Sequence, residues 1–360
     1  MKLIDVNQEN LEKIKKGIVP HKEINAEKIL KKCLKSKNLL TSNSLNKISN
    51  SKFIIVCIGT PINKNLKPEI KKFINFIKNL KSKIKKDNIL IIRSSIYPGM
   101  ITKIEKILGK KNKNIVYCPE RIVQGYALKE LPKLPQIIAS NNKSAKKSVE
   151  KIFNLICKKV IETSVLEAEL IKLFANANRY INFAIANQLY LVCDQNNLKF
   201  SRIREIMREG YERNVNLPFS GFTGGPCLLK DTMQLSSFFK NKFLLGLSAM
   251  KVNESFPEHI ISKIKKIKDY KKKTIGLLGL AFKAESDDIR DSLAIKLLKK
   301  LKSKKLKYLQ SDEFYKNKKN INKKTLVKKS DIIILGAPHT AYKKLKISPK
   351  KKLIDVWGFF

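Results

Sequence analysis

Short apolar runs alternate with lysine-rich stretches of helical period from the first residues of the chain. KLIDV, KFIIVCIGT, NILIIRSS, NIVYCP and PQIIAS read as strands, and between them lie segments such as Pro68 to Lys86, where apolar positions recur every third or fourth residue. That alternation predicts βαβ units and a parallel sheet. The pattern changes near Glu162. ETSVLEAELIKLFANANRYINFAIANQLYLVCDQNN keeps a helical period without a break, SRIREIMREGYERN follows it, and more helix runs to about Lys268. Beyond the charged break KIKKIKDYKKK, TIGLLGL reads as a strand, a helix starts at Asp291, and DIIILGA and KLIDVW are further strands. The fold class expected is α/β, with an α/β domain at 1–157, a helical middle domain with a long central helix at 158–268, and a smaller α/β domain at 269–360.

Composition narrows the setting. At 360 residues and 43% hydrophobic, the chain can bury more than one core. No run reaches the roughly 18 apolar residues that cross a bilayer, and acids interrupt the first segment, so the cytoplasm is the expected location. Six cysteines are scattered without a C-x-x-C pair or metal-ligand spacing, which points to neither a disulfide framework nor a metal site. The net charge of +46 raises a polyanion-binding reading. Its lysines are spread along the whole chain, however, which fits solvated faces better than a nucleic-acid patch. Arginine is scarce by contrast, at eight residues, and is expected where a planar fork must hold a carboxylate or phosphate, which singles out Arg121, Arg179, Arg213 and Arg290. Arg202, Arg204 and Arg208 have helical spacing and are expected on the surface.

The stretch PFSGFTGGPCLLKD, from Pro218 to Asp231, brings a glycine turn to Cys227 at the start of an apolar helix. Unpaired N–H groups and the helix dipole favour a thiolate there. Cys57, Cys157 and Cys193 lie in apolar strands or helices and read as buried structural thiols. On the long helix, Lys172, Asn176 and Arg179 fall at i, i+4 and i+7, a spacing that lines one face.

Taken in order, CIGTPIN, RSSIYPG, CPERIVQG, EAELIKLFANANR, GGPCLLKD and GLLGLAFKAESDDIRDS resemble the nucleotide-sugar 6-dehydrogenases over nearly the whole chain. This UDP-glucose/GDP-mannose dehydrogenase family uses two Rossmann-like domains and oxidises C6 of a nucleotide sugar in two hydride transfers to NAD, through a cysteine-bound intermediate. The resemblance implies Cys227 as nucleophile, Lys172 as oxyanion stabiliser, Asp231 with Asn176 at the same centre, and Glu120 in the water-activating network. It implies Asp5, Thr60, Ser95 and Arg290 as cofactor contacts. Arg121, Ile122, Lys172, Asn176, Arg179, Arg213, Gly224, Phe282 and Lys283 are then substrate contacts. A UDP-sugar substrate and a homodimer or higher homo-oligomer follow as partners, and CPERIVQGYALKELPKLPQIIAS is more similar to the UDP-N-acetylhexosamine branch than to the UDP-glucose branch.

Several positions depart from the pattern. MKLIDV reads as the second strand of the dinucleotide unit, with Asp5 as its ribose acid, and G-x-G-x-x-G does not occur. The expectation is that the chain either is an incomplete version of a longer protein or binds NAD poorly, and the missing glycine loop motivates a rival reading as a non-catalytic remnant that dimerises and binds a UDP-sugar without turnover. The family's Ser-Thr pair is Ser94-Ser95, a proline position is Leu229, and Trp357 stands where many members have an arginine.

Overall fold

The computed structural model describes residues 1–48, 50–109 and 112–360. Two compact units emerge, one of Met1–Ala175 with Met233–Lys240, the other of Asn176–Thr232 with Asn241–Phe360.

The first unit is built on parallel strands. β1 (Lys2–Ile4) pairs with β2 (Leu40–Ser42), and helices α1 (Gln8–Lys15) and α2 (Ala26–Lys35) lie between them in sequence. β3 (Phe53–Val56), β4 (Ile89–Ile92) and β5 (Ile115–Tyr117) form a three-stranded parallel sheet, with α3 (Ile70–Lys81) and α4 (Met100–Leu108) as crossovers. The short α5 (Ala127–Glu130) precedes β6 (Gln136–Ile138), which pairs in parallel with β7 (Val160–Glu162) across α6 (Lys143–Asn154). All four residues of β4 are buried, as a strand covered on both faces requires. Its neighbours on one face are Phe73, Ile77 and Leu80 of α3 and Ile101, Ile104 and Leu108 of α4. α6 shows how local chemistry sets an element: Asn142 caps the Ala145 N–H, and Ala145, Val149 and Phe153 recur every fourth residue and are buried.

α7 (Val165–Gln195) is the long helix expected from the sequence. Its buried Glu169 accepts from the N–H groups of Gly99 (2.6 Å) and Ile101 (2.9 Å), capping α4, whose own N-cap glycine has no side chain to do so. Burial pushes this carboxyl up, and the donated amides oppose the shift.

The second unit continues with α8 (Phe200–Arg208), the first residues of α9 (Leu228–Phe238), which from Met233 onward belongs to the first unit, and α10 (Leu244–Lys265). Its sheet is parallel, in the order β11-β10-β8-β9, from β8 (Ile275–Leu278), β9 (Tyr308–Ser311), β10 (Ile332–Leu335) and β11 (Lys352–Ile354). The crossovers are α11 (Leu293–Ser303) and α12 (Lys323–Lys329). Phe256, Ile260 and Ile264 of α10 pack with Leu293, Leu297 and Leu301 of α11 over the central strands.

The strands and the long helix stand where the apolar runs placed them, but β2, β7 and β9 carry no comparable signal. Each is short, and β9 contributes Gln310 and Ser311 to the interior, so its burial is decided by neighbours and not by its own pattern. Cys57 is a correction. It is exposed, not a buried structural thiol, because it follows β3 on the same face as Ile55, which is itself 54% exposed.

Candidate active site

In the second unit, Pro218–Asp231 forms a turn packed against aromatic rings. Gly221 has φ +149, and a Cβ there would sit 2.4 Å from carbons of the Trp357 indole. Its N–H donates to Asn187 Oδ1 at 2.8 Å, and Asn187 Nδ2 donates to Asn253 Oδ1 at 2.8 Å, a buried amide pair joining α7 to α10. The Ser220 hydroxyl donates to the Val356 carbonyl at 2.6 Å. Gly225 has φ +102 and lies on the Phe282 ring, where a Cβ would come within 2.5 Å. Its N–H donates to the Asp291 carbonyl at 3.2 Å, and Gly224 packs against Asp291 and Leu293. Trp357, noted as a departure from the family, is thus part of the wall that shapes this turn.

Cys227 follows, exposed, immediately before α9; its carbonyl accepts from the Asp231 N–H at 2.9 Å, the first bond of the helix. The open N–H groups of that first turn lie at the cysteine's end. Asp231 is fully buried. One of its oxygens accepts from Asn176 Nδ2 at 2.5 Å and the other is paired with the Lys230 ammonium. Lys172 and Asn176 are buried on α7, whereas Arg179 is exposed, so the row expected of three residues is buried at two.

Lys283 Nζ lies 6.0 Å from the Phe282 ring centroid. Arg290 is exposed and forks onto Asp288, with Nε 3.0 Å from each carboxylate oxygen and Nη2 2.6 Å from Oδ2. Cys227, Asp231, Asn176, Gly224, Phe282 and Arg290 therefore belong to one connected group. Arg213 does not join it: it sits exposed on a 3-10 turn, Glu212–Asn214, and donates to the Tyr211 hydroxyl at 3.1 Å.

The α8 arginines correct the surface expectation. Arg202 is exposed, but Arg204 is 5% exposed, donates from Nε to the carbonyls of Leu217 (2.9 Å) and Pro218 (3.0 Å), and stacks 3.7 Å from the Phe219 centroid. Arg208 donates to the Val215 carbonyl at 2.9 Å. Irregular backbone leading into the turn has carbonyls that need donors, and a planar guanidinium can donate and stack at once.

In the first unit, Asp5 stands just past β1, exposed, and accepts the Asn7 N–H at 2.8 Å. The Thr60 hydroxyl donates to the Ser95 carbonyl, and the Thr60 carbonyl accepts from Gln234 Nε2 at 3.0 Å. Asp5 follows the carboxyl end of β1 in one sheet, and Thr60 and Ser95 follow those of β3 and β4 in another, the strand ends at which parallel sheets take nucleotides. An exposed carboxylate just past β1 has the chemistry to accept the ribose hydroxyls of a dinucleotide.

Glu120 is heavily engaged. Oε1 accepts from the N–H groups of Arg121 (2.7 Å) and Ile122 (2.8 Å), while Oε2 is paired with Arg93. Arg93 also donates to Gln136 Oε1 at 2.9 Å, and the Arg121 guanidinium is turned to the Pro135 carbonyl. The same loop is held by Glu130, accepting from Val123 N–H at 2.7 Å, and by Glu23, accepting from Gly125 at 2.9 Å and Ala127 at 2.7 Å. Three carboxylates thus serve one loop of a chain that has only 30 acids against 76 bases. Sequence reasoning missed these partners. Arg93 was within reach of the arginine-scarcity argument; Glu23 was not, because its acceptor role is to backbone 102 residues away.

Comparison with known proteins identifies a family. The UDP-glucose/GDP-mannose dehydrogenase family matches in three parts: its NAD binding domain over residues 1–157, its central domain over 166–255 and its UDP binding domain over 276–360. A UDP-N-acetyl-D-mannosamine dehydrogenase of Methanocaldococcus jannaschii is 28% identical over 351 residues, covering 94% of this chain and 80% of the relative. A UDP-glucose 6-dehydrogenase of Rickettsia felis is 26% identical, with 95% and 82% covered. The solved UDP-D-ManNAc dehydrogenase of Pyrococcus horikoshii superposes with a TM-score of 0.89 at 25% identity, covering 100% of this chain and 90% of that one. With all three of its domains matched in order, the chain belongs to the UDP-glucose/GDP-mannose dehydrogenase family of NAD-dependent oxidoreductases.

Proposed function

We propose that the chain oxidises the C6 alcohol of a UDP-N-acetylhexosamine, UDP-N-acetylmannosamine before UDP-N-acetylglucosamine or UDP-glucose, to the uronic acid through covalent attachment to Cys227. The observation that carries the reading is an exposed cysteine at the start of α9 with a buried carboxylate, Asp231, one turn inside the helix. Bound NAD supplies a hydride acceptor for each of the two oxidations. The first removes one C6 hydrogen of the alcohol as a hydride and the hydroxyl hydrogen as a proton, and leaves an aldehyde. The Cys227 thiolate then adds to that carbon, and Lys172 stabilises the oxyanion that develops. Loss of the second hydride turns the thiohemiacetal into a thioester, which water cleaves to the carboxylate and the free thiol. Asp231, oriented by Asn176, and Glu120 serve the proton transfers of the alcohol and thioester steps.

Arg121, Ile122, Arg179, Arg213, Gly224, Phe282 and Lys283 contact the sugar nucleotide in this reading, and Asp5, Thr60, Ser95 and Arg290 the cofactor. Of these, Gly224 and Phe282 have direct structural support, since both wall the turn that carries Cys227. The domain division at 1–157, 158–268 and 269–360 assigns cofactor, dimerisation with the catalytic cysteine, and UDP-sugar to successive segments. The dimer is supported by Phe174, Ile185 and Val192 of α7, which are 53%, 47% and 52% exposed and fall at i, i+11 and i+18, one stripe of a helix. No described helix is long and apolar enough to cross a membrane, and a cytoplasmic site of action fits the cysteine pattern.

The test compares NADH formation and acid product from the three UDP-sugars with wild type and Cys227→Ser. Loss of acid by a factor on the order of 1,000 or more is expected in the variant. Acid formation at the wild-type rate would remove Cys227 from the mechanism, and the highest kcat/KM on UDP-glucose would reverse the substrate assignment. Calorimetry with NAD accompanies it, because the sequence has no G-x-G-x-x-G. An absence of binding at millimolar NAD would favour the non-catalytic remnant.

A further inference from the structure

The sheet of the second unit changes direction at β8. α11 takes the chain from β8 to β9 on one side, and α12 takes it back to β10 on the other, so the loops leaving the carboxyl ends of β8 and β10 diverge. Parallel sheets take ligands in the crevice that such a divergence opens. The loop after β8 carries Phe282 and Lys283, and the loop after β10 carries His339. Hydrogen bonds tie the two loops together. The Glu285 N–H donates to His339 Nδ1 at 3.0 Å, and the Thr340 N–H donates to Glu285 Oε1 at 2.8 Å. Glu285 has φ +56, a left-handed conformation that a residue with a side chain rarely keeps unless its surroundings hold it. His339 itself is fully buried, its ring T-stacked with Phe314 and Tyr342 at centroid distances of 5.1 and 5.3 Å. A backbone amide can only donate, so Nδ1 carries the lone pair and the hydrogen of the neutral ring is on Nε2, 3.3 Å from Asp312 Oδ2. The same Oδ2 accepts from the Leu280 and Ala281 N–H groups at 2.5 and 3.0 Å, at the root of the loop after β8. One buried carboxylate thus fixes the start of that loop and orients the histidine that fixes its middle.

We propose that His339 is a positioning residue for the UDP-sugar: by accepting the Glu285 N–H it holds the Phe282–Lys283 segment in its binding conformation, and Asp312 selects the tautomer that can accept. The inference rests on Phe282 and Lys283 contacting the sugar nucleotide, and adds a group that acts on them through the backbone. The far end of the loop has an anchor of its own. There the Ser292 hydroxyl donates to the Leu280 carbonyl at 2.7 Å, next to the Asp291 carbonyl that accepts the Gly225 N–H. Releasing Glu285 therefore loosens the sugar-nucleotide contacts more than it disturbs the turn that carries Cys227.

The test uses two variants of the full chain that each keep half of the imidazole's hydrogen bonding. His339→Gln keeps an amide donor toward Asp312 but puts no acceptor at the Nδ1 position, whereas His339→Asn keeps an acceptor there and gives up Asp312. UDP-N-acetylmannosamine binding is measured by calorimetry without NAD, so that nothing turns over. His339→Gln should weaken it about three- to tenfold, and His339→Asn should stay within about twofold of wild type. In turnover the loss should appear in KM for the UDP-sugar and hardly in kcat; a merely structural role would scale kcat with the folded fraction and leave KM where it was. Hydrogen exchange of the wild type gives a reading that needs no variant: the Glu285 amide should be protected, and rapid exchange there would overturn the inference. Wild-type affinity in His339→Gln would also overturn it, as would equal losses in the two variants, which trace the effect to the filled volume and not to the acceptor. Lys283→Ala separates the two readings. Unchanged affinity in that variant defeats the substrate assignment of the loop and the role of His339 with it, whereas weakened binding there beside wild-type affinity in His339→Gln defeats only His339.

Discussion

Two loops carry candidate site residues, Gly224 and Cys227 on one and Glu120, Arg121 and Ile122 on the other, and they are held by different physics. The turn before α9 is fixed by shape: Gly221 and Gly225 press their backbones onto Trp357 and Phe282. The loop from Glu120 to Ala127 is fixed by charge, with Glu23, Glu120 and Glu130 each accepting backbone N–H groups. Close packing is indifferent to pH and salt, but tolerates no added atom. Carboxylate anchors tolerate small changes of shape and lose their hold when neutralised. Cys227, the proposed covalent centre, sits on the loop of the first kind, where a displaced sulfur would be most damaging.

Substitutions should expose that difference. Gly225→Ala should be the most severe, because φ +102 suits no side chain and the new methyl would meet the Phe282 ring at 2.5 Å. Backbone strain alone costs about 1–3 kcal/mol, so urea unfolding should shift clearly and kcat/KM should fall further than stability does. A wild-type midpoint would contradict the packing argument. Gly221→Ala should be nearly as costly, and Trp357→Ala in the same chain should return part of the loss. The double-mutant cycle reports the coupling, and additive losses would show that the indole is not what excludes the methyl.

Glu23→Gln should act more mildly on the other loop. Two bonds to a charged acceptor are weakened, at about 1.5–3 kcal/mol for each bond lost outright, and the Gly125 and Ala127 amides should exchange hydrogen faster while global unfolding hardly changes. Unaltered exchange would mean that the loop is held by something other than charge.

The smallest effect is the pH dependence of stability. His259 is lowered from its ordinary value by burial, which outweighs the attraction of Asp194. A depressed folded value means that its contribution is present above the unfolded pKa of about 6.5 and is lost as pH falls through the folded value. His259→Asn should therefore flatten the decline of Tm on acidification below about pH 6.5. Asp312 behaves similarly at lower pH. Burial pushes it up, but the hydrogen bond and charge of His339 with the Leu280 and Tyr315 amides bring it down to about 2. Its contribution is lost between the usual carboxylate range and about pH 2, well below the His259 window.

How much of this was legible beforehand depended on the range of the interaction. The βαβ rhythm, the long helix and the start of α9 at Cys227 were readable because each depends on residues a few positions apart. Asn176 with Asp231 was readable only through resemblance, since their hydrogen bond spans 55 residues. Arg204 was misread because helical spacing shows that residues share a face but not what that face meets; it met the carbonyls of Leu217 and Pro218. Cys57 was misread for the related reason that an apolar strand predicts burial only where something covers it.

By itself the sequence determined the alternation of strands and helices, the helix that starts after Cys227, and the scarcity of arginine and acid that makes each one informative. Periodicity, capping and composition are local properties, and they survive without a fold. Only the tertiary structure decided that Trp357 walls the Gly221 turn, that Glu23 and Arg93 hold the Glu120 loop, and that the Asp291 carbonyl meets the Gly225 N–H. Those relations join groups far apart in the chain through packing distance and charge, and neither quantity is written in sequence order.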